Sequence, residues 1–170
     1  SNVGHAATLD LFKLYNENKN AKSSAILKFS GVTAQNNEEF TFIDALGNSV
    51  TFIIDMTRDI QDASVVENDK VVLGLSNSQN INDYVDTFKN SINKVTENSV
   101  GFSLNITAFS NSNNELLLKQ DNPGDSGDTL ITLPEQNYVS VSSNSSNSFA
   151  RKETSAILLK FDIDNFKNTF

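Results

Sequence analysis

The chain has 170 residues, 38% of them hydrophobic and twelve of them phenylalanine, enough apolar mass to fill one sizeable core and an argument against a second independent domain. Its net charge of −8, with Lys and Arg scattered along the chain, excludes the basic stripe that a nucleic-acid surface needs. The lack of cysteine excludes disulfides, thiolate catalysis and Cys-based zinc sites, and no segment approaches the roughly 20 consecutive apolar residues of a membrane-spanning helix, so neither nucleic acid nor membrane is an expected partner.

Asn (24) and Ser (21) dominate the polar residues while proline occurs only at Pro123 and Pro134, so turns must rest on Asn, Ser, Gly and Asp chemistry. The chain opens on Ser1 rather than Met, which fits a processed product or part of something longer. Residues 1–23 read as a polar N-terminal arm. Thr8 can cap a short helix with Leu9, Phe12 and Tyr15 on one face, and an extended arm that orders against a neighbour accounts for the same residues.

From Ser24 the pattern becomes strand-like. Ala25-Ile26-Leu27-Lys28-Phe29 is one strand, and Phe40-Thr41-Phe42-Ile43 and Val50-Thr51-Phe52-Ile53-Ile54 make a hairpin across the Gly-containing loop 44–48. Residues 56–70 are charged and read as a loop leading to a brief strand at Val71–Leu75. Ile81, Tyr84, Val85, Phe88, Ile92 and Val95 then recur at helical spacing. With Asn80 as cap and Asp83 in the first turn, they predict an amphipathic helix over about 81–97 that needs a sheet to cover it.

Phe102, Leu104, Ile106 and Ala108 alternate with polar residues as a half-buried strand does. The Asn/Ser run at 111–114 turns the chain, and Glu115–Lys119 returns as the partner strand. Two short strands follow at Leu130–Leu133 and Tyr138–Val141. Residues 142–155 read as a Ser/Asn-rich linker, and 156–170 as a C-terminal strand and arm. Ser155-Ala156-Ile157-Leu158-Leu159-Lys160-Phe161 nearly repeats Ser24-Ala25-Ile26-Leu27-Lys28-Phe29, which suggests two similar edge strands at the two ends of a β-rich core spanning 24–141. The fold class expected is α+β: an antiparallel β-rich single domain, sandwich-like or a sheet with one amphipathic helix packed on it, with extended N- and C-terminal arms.

The residues offer little chemistry. His5 is the single histidine and lies in the polar arm, which leaves no support for a catalytic triad or a His-rich metal centre. Asp121, Asp125 and Asp128 share a Gly-containing loop, but spacings of four and three do not match the alternating ligands of an EF-hand. Asp162 and Asp164 fall on one face of a strand and read as solvated surface rather than a glycosidase pair, since the chain has no Trp to bind sugar. Asn105-Ile106-Thr107 and Asn144-Ser145-Ser146 match the glycosylation pattern in a chain so rich in Asn and Ser that chance explains both. No catalytic, cofactor or metal residue is assigned.

The order of the pieces resembles a module of predicted structural proteins of marine tailed phages, found also in long repetitive bacterial surface proteins. The resemblance rests on the Phe-rich hairpin Phe40–Phe52, the stretch Val71-Val72-Leu73-Gly74-Leu75 and the helical Phe88-Lys89-Asn90-Ser91-Ile92-Asn93. It continues through Leu104–Ala108, Leu116–Asp121 and Gly124–Thr132, and so covers roughly residues 24–133. The Asn/Ser run at 111–114 replaces the family's Asp-Gly turn, and the insertion at 56–70 is longer and more charged than usual.

The resemblance implies a non-enzymatic virion structural protein (capsid decoration, tail or fibre component) that pairs with copies of itself and with other virion proteins. The alternative is a repeat or binding module of a bacterial cell-surface adhesin, extracellular or on the cell surface, with loops 56–70 and 121–129 carrying recognition. For the virion reading the expected assembly edges are Ala25, Ile26, Leu27 and Phe29 at one end and Ala156, Ile157, Leu158 and Phe161 at the other, because an edge strand presents unpaired backbone groups.

Overall fold

The computed structural model describes residues 19–112 and 114–151. The short helix expected around Leu9, Phe12 and Tyr15 and the C-terminal strand at 156–161 lie outside them.

Nine strands and one helix of more than a single turn appear among the described residues. In chain order they are β1 (Ser24–Phe29), β2 (Glu39–Ile43), β3 (Ser49–Asp55), β4 (Val66–Glu67), β5 (Lys70–Gly74), α1 (Ile81–Asn98), β6 (Ile106–Ser112), β7 (Glu115–Gln120), β8 (Ile131–Thr132) and β9 (Val139–Val141). They form a four-stranded sheet in the order β6-β7-β1-β9 and a five-stranded sheet in the order β4-β5-β3-β2-β8, with every pairing antiparallel except β3 with β5. The chain is thus an α+β single domain, and both sheets and the helix contribute to one continuous core.

Local chemistry explains the elements. The β2–β3 hairpin closes over 44–48, where Gly47 takes φ +85°, a conformation that a Cβ would strain. The predicted loop 56–70 hides a second hairpin: Asn68 and Asp69, at φ 50° and 59°, form a two-residue turn between β4 and β5. Asn and Asp are the residues that tolerate this left-handed pair, so the turn signal was present inside a charged run. The rest of that loop lies against β5, where a Cβ on Gly74 would sit 2.4 Å from the Ile60 nitrogen and 2.5 Å from the Arg58 carbonyl oxygen.

Helix α1 begins as its sequence requires. The Asn80 side chain accepts from the Asp83 N–H at 3.0 Å and Asp83 accepts from the Asn80 N–H at 3.2 Å, a reciprocal cap that satisfies two otherwise orphaned donors. Asn80→Ala should therefore cost about 1 kcal/mol, read as a lower urea midpoint with an unchanged slope. An unchanged midpoint would show that the cap adds nothing to stability.

The apolar stripe of α1 meets both sheets. The Phe88 ring lies 5.2 Å from that of Phe29 on β1 and 4.7 Å from that of Phe40 on β2, and Tyr84 packs edge-on against Phe29 and Tyr138.

Three expectations need correction. Phe102 to Asn105 are not strand: Thr96 Oγ1 accepts the Leu104 N–H and Asp44 accepts the Asn105 N–H, so side chains take the place of the ladder until Ile106. Residues 142–150 are not a linker. Phe149 is 1% exposed in the core, Ile131 N–H donates to the Asn147 carbonyl and Phe149 N–H to the Thr129 carbonyl, and Ala150 pairs with Ser24 in both directions at 3.0 Å. This strap connects the β8 end of one sheet to β1 of the other.

The third correction concerns the edge assigned to Ala25, Ile26, Leu27 and Phe29. β1 is an interior strand, paired along its length with β7 on one side and with β9 and Ala150 on the other, and Ala25, Leu27 and Phe29 are fully buried. An alternating strand is half-buried whether central or at an edge, so its own residues do not distinguish the two.

Candidate assembly surface

Among the described residues the remaining edges are short or at least partly covered. β9 offers three residues and β4 two. β8 is overlaid by the strap. At β6 the side-chain amide of Asn93 on α1 donates to the Ala108 carbonyl at 2.9 Å and accepts its N–H at 2.8 Å, occupying the edge at that one residue, while Phe109 to Ser112 stay exposed. Lys89 also reaches the Ser110 hydroxyl. Short and partly covered edges disfavour sheet-to-sheet addition between cores. The other predicted edge, Ala156, Ile157, Leu158 and Phe161, lies outside the described residues, as do His5, Asp162 and Asp164.

The three aspartates of loop 121–128 do not converge. Asp121 accepts from the Thr107 hydroxyl at 2.7 Å, while Asp128 accepts from the Ser23 hydroxyl on one oxygen and from the Arg151 guanidinium on the other, at 2.5 and 2.9 Å. Among the described residues no group of three or more acidic or histidine side chains could hold a metal ion. Both glycosylation-pattern asparagines have structural bonds: the Asn105 amide donates to Asp44 and the Asn144 amide to the Ser148 carbonyl.

Asp128 does something else. Ser23 stands where the N-terminal segment enters β1, and Arg151 where the strap hands over to the C-terminal segment, so one carboxylate clasps both exits. The entry is pinned further by Gly124 N–H to the Ala21 carbonyl and Gln120 N–H to the Ser23 carbonyl. The two terminal segments therefore leave the fold side by side, from adjacent strand positions at Ser24 and Ala150.

Behind this clasp lies a buried polar junction that locks the hairpin loop of one sheet to the other sheet. Asp44, 1% exposed, accepts five N–H groups: the Leu46 and Asn48 amides, the Asn48 side chain, and the main chain and side chain of Asn105, all at 2.8–2.9 Å. Burial pushes its pKa up, but the hydrogen bonds from Asn48 and Asn105 together outweigh burial and hold it below the ordinary carboxylate value. Gln120, fully buried, accepts from the Ala45 N–H and donates to the Ile43 carbonyl and Thr129 hydroxyl.

Sequence reasoning passed over Asp44, Gln120, Asn93, Ser23 and Arg151. Only Gln120 carried a signal: the period of two places it on the inward row with Leu116 and Leu118, where a polar side chain must have buried partners.

The loop 56–70, a candidate for recognition, pairs part of its charge within itself and with β3, while Asp59, Asp62, Glu67 and Asp69 stay exposed. Arg58 bridges Asp55 at 2.5 Å and Glu67 at 2.8 and 3.0 Å beside a recess of about 250 Å³. The Thr57 hydroxyl and N–H, with Arg58, hold Asp55 down to about 2. Asp59 accepts from the Gln61 and Asn77 side chains.

Among the described residues no helix is long and apolar enough to cross a membrane. No protein-family model matches the chain, and neither the curated proteins nor the solved structures contain a match to it.

Proposed function

We propose that the chain is a non-enzymatic structural subunit of a tailed-phage virion, acting in capsid decoration, a tail or a fibre, and that its terminal segments join it to neighbouring copies and other virion proteins. The virion setting comes from the module resemblance. The observation that carries the assembly role is the Asp128 clasp, which holds the departure points of both segments together at one place on a closed core. Two tethers leaving one point act as linked contacts, so each raises the effective concentration of the other. Among the described residues, Asp44 is engaged in the sheet junction, Asp121 with Thr107 and Asp128 in the clasp.

The test is truncation. Removing 1–18 or 152–170 should lower incorporation into assembled particles by at least roughly tenfold, the loss expected when one of two linked contacts is removed, while the core keeps its melting temperature. Normal occupancy of particles by a core lacking both segments would sink the proposal. Retention of surface-ligand binding by that core, without particle incorporation, would favour the adhesin reading instead.

A further inference from the structure

The solvent face of the four-stranded sheet carries an apolar row at right angles to its strands. Phe109 on β6 stands opposite Leu117 on β7, which stands opposite Ile26 on β1. Phe109 is 47% exposed, and Leu117 and Ile26 are part-exposed. The period of two sets the rows on either side. Toward the clasp lie Thr107, Lys119 and Ser24, and away from it Glu115 stands opposite Lys28. Among the described residues Lys119 makes no ion pair, and the Glu115 carboxylate accepts from the Asn111 side chain.

We propose that this face pairs with the same face of a second copy, about a twofold axis running along the apolar row. Half a turn about that axis leaves each strand facing itself and exchanges the flanking rows. Phe109, Leu117 and Ile26 then pack on their counterparts, Lys119 of each copy comes over the partner's Glu115, and Lys28 comes over the partner's Ser24. A twofold axis along β7 instead would set Lys119 against Lys119, so the charge pattern selects the first arrangement. Sheets packed this way lie about 10 Å apart with aligned strands, the ordinary geometry of sheet-on-sheet contact.

The contact is self-complementary, as a twofold interface must be. Four strands at about 4.8 Å spacing and about 17 Å of length give a face of roughly 300 Å², well under the ~800 Å² per partner of a tight complex. The dimer is accordingly weak, with a Kd on the order of 10–100 μM, and lasts in an assembly because other contacts hold the copies together. This inference rests on the self-assembling subunit reading and names the surface by which two copies meet. Its test needs neither particles nor truncation, so it can fail while the role of the terminal segments stands, and the reverse.

Sedimentation equilibrium on the full chain, from micromolar to several hundred micromolar, should show a monomer–dimer equilibrium. Phe109→Asp should abolish it while lowering the melting temperature by no more than about 5 °C, because the side chain is about half exposed. Lys119→Glu and Glu115→Lys should each raise Kd by roughly tenfold or more, since each sets like charges face to face twice per dimer. The double exchange Lys119→Glu with Glu115→Lys should bring Kd back to within a few-fold of the parent, a recovery that general damage to the sheet would not produce. A monomer at every concentration, a dimer indifferent to Phe109→Asp, or a double exchange no better than the single changes would overturn the proposal.

Discussion

Replacing Phe149 with alanine should destabilise the protein by about 3–5 kcal/mol, the cost of emptying a fully packed aromatic site in a core. Phe149 belongs to a segment whose composition reads as linker, yet it is 1% exposed and its neighbours carry the backbone bonds that join the sheets, Ile131 to Asn147 and Ala150 to Ser24. The cavity would weaken the core and also release the strap, which bridges Leu130 through Ser148 and Ser24 through Ala150 and so joins the two sheets by main-chain hydrogen bonds. Urea unfolding gives the magnitude. Amide exchange locates it, with Ile131, Phe149 and Ala150 losing protection before the centre of β1. Phe109→Ala, at a half-exposed site, serves as the control and should cost less than about 1 kcal/mol. A loss of similar size at both positions would mean that the strap does not belong to the core.

Asp44→Ala should cost about 3 kcal/mol or more at neutral pH, because removing one carboxylate strands five N–H donors, several of them shielded from water. Asp44→Asn keeps the shape and isolates the charge. The folded pKa of Asp44 is depressed, so its charge contributes stability that is complete above the unfolded value near 4 and is lost as pH falls through the folded value. The gap in stability between the parent and Asp44→Asn should therefore be widest at neutral pH and narrow progressively below about pH 4. A gap independent of pH would show that Asp44 acts through shape and not through charge.

Both expected results fall on residues whose importance is not local. The helix, the β2–β3 hairpin and the β6–β7 hairpin were legible because each is specified by neighbours a few residues apart. Asn80 and Asp83 sit within one turn of each other, Gly47 supplies the one left-handed position its loop needs, and the spacing from Tyr84 to Val95 draws the buried stripe directly. The Asn68-Asp69 turn was equally local and was hidden only by the charge around it. The partners of Asp44, by contrast, lie as far away as Asn105, and those of Gln120 as far back as Ile43. No pattern along the chain relates such positions.

The same division runs through the proposed assembly surface. Phe109 shares the polar row of its strand with Thr107, but Ile26 and Leu117 stand inside the continuous apolar runs Ala25–Leu27 and Leu116–Leu118, where alternation does not tell the solvent face from the core face. That these three side chains form one continuous strip, that β1 lies in the middle of its sheet, and that Ser23 and Arg151 meet on Asp128 depended on the order of the strands. That order pairs strands whose residues lie more than a hundred positions apart, as Leu27 does with Val141. Amphipathic period and turn chemistry are short-range properties carried by the residues themselves. Strand order, edge protection and the meeting of the two chain exits are settled only when the core closes.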